Sequence, residues 1–452
     1  MLDELRAALG TAVVTDAGTL EALRTDKSGM RSSAAPIALV EARDIADVQI
    51  ALRWASTHGV AVVPRGAGTG LAGGAVGSAG ELVVSTLRMN RVLEVSVDDE
   101  LAVVEPGVIN GDLNAALAPH GLWFAPDPAS RAISTVGGNI ATNAGGLMCV
   151  KYGVTREAVL GLKVVLSDGR LLEVGHRTVK GVTGYDLTAL FIGSEGTLGV
   201  IVEATVRLRR LVHGDVVTVS AAFPDVEQAA HASAAVSSSG VRPAAMELLD
   251  ASALAAIGTH LDLDLGGRGA QLLIRTDGPA SVAEAAEIVE IVRGAGGVVE
   301  VSEDAEAGER LFAIRRAFHP AMERQGTVLI EDVAVPRSAL PAMFAAISRI
   351  EREFGISIPT VAHAGDGNLH PNFVIEPQPD GAAEVPEQVW AAADELFREC
   401  LRLGGTLTGE HGVGTLKRRW LRQELGEDSF ELQRGLKALF DPAGILNPGK
   451  VF

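Results

Sequence analysis

The apolar positions change period several times along the chain. At the N-terminus LDELRAALG predicts a short helix, TAVVT a strand and AGTLEALR a second helical turn. APIALVEARD, residues 35–44, predicts a strand that leads into IADVQIALRWASTHG. There Ile45, Val48, Ile50, Ala51, Leu52, Trp54 and Ala55 make a helical apolar stripe, stopped by Gly59. VAVVP is a short buried strand, so a β-α-β unit runs directly into the glycine-dense stretch Pro64–Gly73. The next run, through ELVVSTLRMNRVLEVSVDDELAVVEPGV, reads as consecutive strands. GDLNAALAPHG (residues 111–121) is a short helix with a glycine stop, and PDPAS a turn stiffened by Pro126 and Pro128. A second glycine-dense stretch spans Ser134–Gly146. AVLGLKVVLSDGRLLEV (158–174) is a hairpin turning at Ser167-Asp168-Gly169. A helical turn, the loop GSEGTLG and a β-run through Leu208 complete this region.

From about residue 213 strands and helices alternate. DVVTVSAAF, DVEQAAHASAAVSSSG and PAAMELLD read strand–helix–strand, and GAQLLIRTDG, ASVAEAAEIVEIVRGAG and GVVEVSED repeat the pattern. Two such units predict a sheet covered on one side by helices, an α+β cap of ferredoxin-like style. ERLFAIRRAFHPAMERQG then predicts one helix, TVLIEDVAVP one strand and SALPAMFAAISRIEREFG a helix. VAHAGDGNLHPNFVIE (361–376) predicts strand, turn and strand. PEQVWAAADELFRECLRLGG is helical, and TLTGEHGVGTLKRRWL opens the last helix. The expected organisation is a domain at 1–212 with its core at about 35–212, a second at 213–440, and a tail at 441–452 that returns to the first.

Composition narrows the partners. The 452 residues exceed one core, and 47 % hydrophobic with 21 % charged residues is a globular balance. A net charge of −18 disfavours nucleic acid, because phosphate binding wants a basic face. An anionic substrate would need locally placed Arg, Lys or metal. Cys149 and Cys400 form no CxxC and no disulfide framework, which points to a reducing compartment. No apolar signal core and no apolar run of about 18 residues is present. The expected location is the cytoplasm, with peripheral contact to a membrane compatible.

Gly68, Gly70 and Gly73 satisfy GxGxxG, but strands come next instead of the helix that a nicotinamide fingerprint requires. So many glycines in so few residues favour close approach of backbone to a dinucleotide over tight turns alone. In the second region His363 and His370 flank GDGN, and Glu410-His411 lies beyond the next helix. Two histidines and a carboxylate are a common divalent-ion set, and an adjacent group suits a general base; ordinary loop histidines are the competing reading. Arg315 could pair bidentately with a carboxylate or make a surface salt bridge, as Arg316 beside it would.

PRGAGTGLAG, PDPAS, TVGGNIATNAGG, KYGVTREAVLGLKVVLSDG, GYDLTALFIGSEGTLGVI and DPAGILNPGKVF, in this order, resemble the FAD-binding family of vanillyl-alcohol-oxidase (PCMH) type. Within it the chain is similar to the branch of D-2-hydroxyacid dehydrogenases that act on D-lactate, glycolate or D-2-hydroxyglutarate. The resemblance covers nearly the whole chain. It implies an α+β fold: a two-part PCMH-type FAD-binding domain plus an α+β, ferredoxin-like cap. It implies that Pro64, Arg65, Gly66, Ala67, Gly68, Thr69 and Gly70 wrap the FAD pyrophosphate. Pro126, Thr135, Gly138, Asn139, Thr142, Asn143 and Gly145 would continue toward the isoalloxazine. Glu195, Gly196, Gly199 and Ile201 would hold the ribityl and adenine side, with Asn447 returning the tail to the flavin. Residues 64–73 contain no histidine, so FAD is expected to be non-covalent.

HAGDGNLH and GEHG are intact and match the metal motifs of that branch. The resemblance thus implies a divalent metal on His363, His370 and Glu410, with zinc first and manganese, cobalt or iron fitting too. His411 would be the base, and Arg315 and Asn372 would contact a small 2-hydroxyacid. Enzymes of the hydroxyglutarate type carry a Thr and a Lys for the distal carboxylate where this chain has His319 and Ile330. Without them, unless Lys417 substitutes, a monocarboxylate such as D-lactate or glycolate, or a longer apolar hydroxyacid, is favoured. A different flavin oxidase or reductase on the same scaffold, and a non-catalytic flavin subunit, are the alternatives. No NAD or iron–sulfur motif is visible, which leaves quinone, flavoprotein, cytochrome or oxygen as acceptor. A homodimer is compatible, though no segment argues for it.

Overall fold

The structure, a computed structural model, describes residues 1–265, 267–375 and 385–452. The final residue of the stretch read as strand–turn–strand, Glu376, lies outside them. The chain forms two compact units. The first comprises Met1–Gly145, Gly153–Leu211 and Glu410–Phe452; the second comprises Gly146–Tyr152 and Val212–Gly409.

Beside the short antiparallel pair Leu122–Trp123 with Arg209–Arg210, the first unit holds two main sheets. In the smaller, strands Ala38–Glu41, Leu82–Ser85 and Val62–Arg65 run parallel, and Val13–Val14 pairs antiparallel at its edge. Helix Ile45–His58 supplies the crossover. Asp44 caps its start by accepting from the Asp47 N–H, and Gly59, in the left-handed region, ends it. Val48, Ala51, Leu52 and Ala55 bury against Val40, Val62 and Val84, which is the face that the 3.6-residue stripe predicts. Ile445 and Leu446 belong to the same core. The Val62 N–H donates to the Ile445 carbonyl and the Asn447 N–H to the Val62 carbonyl, so the C-terminal segment is fastened beside the strand that feeds the first glycine stretch.

The larger sheet is wholly antiparallel, in the order Val92–Ser96, Leu101–Val104, Val200–Arg207, Val159–Val165, Leu171–Gly175. The expected hairpin is its last pair. One element has no clear signature in the sequence. Val136–Thr142, within the second glycine stretch, is a short helix, capped by Thr135, whose Oγ1 accepts from the Gly138 N–H. Gly137 and Gly138 hide its periodicity; Gly137 is required because a Cβ there would lie 2.5 Å from the Pro106 Cβ.

The second unit is built on one antiparallel sheet ordered Val298–Val301, Val216–Phe223, Ala270–Asp277, Ala245–Asp250, Thr360–His363, Asn368–Val374, Val328–Ile330, with Val333–Ala334 also pairing Asn368–Val374. Both strand–helix–strand repeats are present, with helices Val226–Ser238 and Ser281–Gly294. Three local readings are corrected. The helix expected over 309–326 is two, Ala305–Arg316 and Phe318–Gln325. Pro320 explains the break: it lacks an N–H and is tolerated only in a helix's first turn. The strand expected over TVLIEDVAVP divides around Glu331 and Asp332. Helix Ala251–Leu261, capped by Asp250, has no counterpart in the sequence expectations. The units also partition the C-terminal region differently from the expected 213–440 and 441–452, since Glu410–Phe452 belongs whole to the first unit.

Candidate functional site

Within the first unit the two glycine stretches meet. A Cβ at Gly66 would stand 2.5 Å from the Thr135 Oγ1. Only a glycine lets these backbones approach so closely. Residues 64–71 are half-buried, and at Gly70 a Cβ would meet nothing within 4 Å. The loop is thus braced at one end and open at the other. Arg65 turns inward: its guanidinium donates to the carbonyls of Thr25 and Ala75, and burial lowers its pKa. Its charge is therefore engaged by the protein itself.

Several residues expected in the cofactor cradle hydrogen-bond within the first unit. Asn139 donates to the Ser134 hydroxyl and accepts from Asn110, whose amide also donates to the Pro126 carbonyl. Thr142 donates to the Gly138 carbonyl, and the Asn143 side chain accepts from the Arg156 N–H. Gly145 is buried at the end of the stretch. Gly196 and Gly199 pack their backbone against Pro64 and Val164, and the Ile201 side chain lies in the apolar core of the larger sheet.

The Glu195 side chain is engaged within the first unit. Its two carboxylate oxygens accept from the N–H groups of Val413 and Gly414, at 2.7 and 2.8 Å. Burial pushes its pKa up to about 7, against those two N–H groups and the charge of Lys417. Its own N–H donates to the Ala141 carbonyl and its carbonyl accepts from the Asn447 amide. Glu195 thereby joins the second glycine stretch, the segment after Glu410-His411, and the tail. Asn447 also donates to the Gly74 carbonyl, while its Oδ1 is buried and has no hydrogen-bond partner among the described residues. Open backbone at Gly70 and an unused buried acceptor at Asn447 fit a large polar ligand.

The second unit concentrates titratable groups on one face of its sheet. Along an antiparallel pair, directly opposed residues point the same way and every second residue shares a face. Glu247 opposes His363, which opposes Asn368; Leu249 opposes Val361, which opposes His370; Ile330 opposes Asn372. Glu247, His363, His370 and Asn372 therefore line one face. The His363 and His370 rings lie 5.0 Å apart, edge to face. The His363 Nδ1 sits 2.7 Å from the Glu247 Oε1, and the Glu247 Oε2 accepts from the Arg315 Nε at 2.8 Å. Asp332 accepts from the amide of Asn368 and the hydroxyl of Thr408, with the His370 Nδ1 3.8 Å away. Asn372 donates to the His370 carbonyl, and its buried Oδ1 has no partner among the described residues.

The second unit thus gathers both histidines, Arg315 and Asn372, which the motifs single out, with Glu247 and Asp332, both fully buried, which they do not. The signal exists: an acid in the apolar strand AMELLD, and the pair in IEDVAV. The buried Glu247 carboxylate against the His363 Nδ1 directs its Nε2 toward a ligand, the usual support for a metal-binding histidine, and Asp332 places a second buried acid 3.8 Å from the His370 Nδ1. The donor set therefore fits a divalent ion. Glu410 and His411 belong to the first unit, directly after the second unit ends at Gly409. Lys417 is buried in the first unit and acts on Glu195, and His319 is half-buried beside Glu323.

Comparison with known proteins gives the family. Residues 36–175 match the model of the FAD binding domain, and residues 213–451 that of the C-terminal domain of FAD linked oxidases. The chain is 41 % identical to the glycolate oxidase subunit GlcD of Bacillus subtilis, over 92 % of this chain and 89 % of that one. It is 36 % identical to a D-lactate dehydrogenase of Archaeoglobus fulgidus, covering 90 % and 89 %. It is 35 % identical to the D-2-hydroxyglutarate dehydrogenase of Stutzerimonas stutzeri, covering 100 % and 98 %. A solved structure of p-cresol methylhydroxylase shares the fold at a TM-score of 0.82 and 18 % identity, covering 100 % of this chain and 96 % of that one. With its braced glycine cradle and its PCMH-type architecture, this chain belongs to the FAD-linked oxidases, a family of FAD-dependent oxidoreductases.

Proposed function

We propose that the chain oxidises a D-2-hydroxyacid to the 2-oxoacid, with FAD bound non-covalently in the first unit and a divalent metal, zinc foremost, on His363, His370 and Glu410. The observation that carries this reading is the sheet face on which a buried carboxylate backs one histidine at 2.7 Å and also holds Arg315. Relatives named for glycolate, D-lactate and D-2-hydroxyglutarate support the substrate class. FAD, when bound, takes up the hydride lost by the substrate carbon, and a divalent ion acidifies the hydroxyl as a Lewis acid.

The protein's own residues do the rest. Pro64–Gly70 and the second glycine stretch hold the pyrophosphate through backbone N–H groups. Arg315 pairs with the substrate carboxylate; its Nε is anchored on Glu247, which orients the remaining N–H groups. Asn372 offers its buried Oδ1 to the substrate. His411 accepts the hydroxyl proton. The electron acceptor belongs to the same set, quinone, flavoprotein, cytochrome or oxygen, and two cysteines without CxxC spacing suit cytoplasmic work.

Ile330, directly opposite Asn372, brings an apolar side chain to the face where a hydroxyglutarate enzyme needs a cation. This favours D-lactate, glycolate or an apolar 2-hydroxyacid over a dicarboxylate. His411→Asn should keep FAD and metal stoichiometric while single-turnover flavin reduction falls by about 10²–10⁴-fold, the contribution of a general base. Unchanged reduction would remove His411 from this role.

A further inference from the structure

Arg315 is assigned to the substrate and His363 to the metal. One carboxylate joins them. Glu247 stands in the middle of strand Ala245–Asp250, with no solvent exposure. Its Oε1 lies 2.7 Å from the His363 Nδ1 and its Oε2 2.8 Å from the Arg315 Nε. With the His363 Nδ1 protonated, each carboxylate oxygen accepts one N–H, an arrangement that neither a hydroxyl nor an amide can copy. Register fixes the arrangement, because Glu247 and His363 are directly opposed across the strand pair. Arg315 reaches the same oxygen pair from the end of helix Ala305–Arg316.

Resting on the proposed function, we infer that Glu247 is a positioning residue that ties metal binding to carboxylate recognition. It orients the imidazole that ligates the ion and the guanidinium that binds the substrate. A change at this one side chain is therefore felt in both. An ordinary buried ion pair would support folding and leave the two affinities unaffected.

Glu247→Gln is the test. The amide has the same shape but one acceptor and one donor, so it must turn an N–H toward one of two N–H groups. Zinc affinity of the FAD-loaded protein is measured by competition with a chromophoric chelator, and KM for D-lactate or glycolate by steady-state kinetics. The expected result is zinc bound about 10–100-fold more weakly, the usual effect of removing such a partner, together with KM raised at least fivefold. FAD content and circular dichroism should be unchanged.

Glu247→Asp provides a second variant if the amide does not fold. It keeps the charge but is one methylene too short to hold both partners in place, so zinc affinity and KM should both shift. Either parameter within twofold of wild type, in a folded and FAD-loaded variant, overturns the inference. Failure of the broader reading looks different: wild-type protein would itself hold no zinc against the chelator or oxidise none of the hydroxyacids.

Discussion

A single carboxyl shows how burial and hydrogen bonding compete in this protein. Asp250 caps helix Ala251–Leu261, accepting from the Ala253 N–H at 2.7 Å and from the Thr360 N–H at 2.8 Å. Both donors favour the carboxylate, but burial outweighs them and pushes its pKa up to about 7 from 3.8. A folded-state pKa above the unfolded one means that the native protein holds a proton which the unfolded chain releases. The stability from this group is complete below about pH 4 and is lost as pH rises through 7. Asp250→Asn should abolish that component. In urea unfolding at pH 5, 6 and 7, the wild type should lose up to about 1.4 kcal/mol per pH unit relative to the variant. Parallel profiles would mean that Asp250 is ionised throughout. Glu195 shows the same competition where it matters more, since its carboxylate secures the amides just after His411.

At the level of elements, the glycine stretches divide into bracing and open positions. Gly66→Ala drives a methyl group into Thr135 and should lower the melting temperature of the apoprotein. Gly70→Ala meets no protein atom within 4 Å, so its stability should match wild type while FAD binds at least tenfold more weakly. Equal FAD affinity in the Gly70 variant would show that this end of the loop does not face the cofactor. The same elements explain what sequence can and cannot reveal. Strands and helices with clean period are legible, among them Ile45–His58 and the hairpin of Val159–Val165 with Leu171–Gly175. The helix at Val136–Thr142 is not, because its glycines serve close packing and carry no apolar stripe. The histidines of HAGDGNLH stand out by motif. Glu247 and Asp332 do not, because a buried acid within or between apolar strands acquires meaning only when strand pairing reveals what lies around it.

Across the whole molecule, chain order and spatial order diverge. The sequence suggests a returning tail at 441–452, yet the segment from Glu410 onward is structurally part of the first unit, and Ile445 and Leu446 are core residues of its smaller sheet. Deleting residues 441–452 should therefore abolish FAD binding and solubility of the first unit, beyond any loss of turnover. Recovery of soluble, yellow protein would contradict this. Among the described residues no helix is long and apolar enough to cross a membrane. The proposed chemistry needs both a flavin cradle, on one unit, and a histidine pair with its backing carboxylate, on the other. The most direct test of that requirement is anaerobic flavin bleaching by D- and L-lactate, glycolate and D-2-hydroxyglutarate, before chelation, after it, and after zinc is restored. Rapid bleaching by D-lactate or glycolate is expected, with little by the L-isomer, loss on chelation and recovery with zinc. Bleaching by none of these acids, or bleaching indifferent to the metal, would contradict the proposed chemistry.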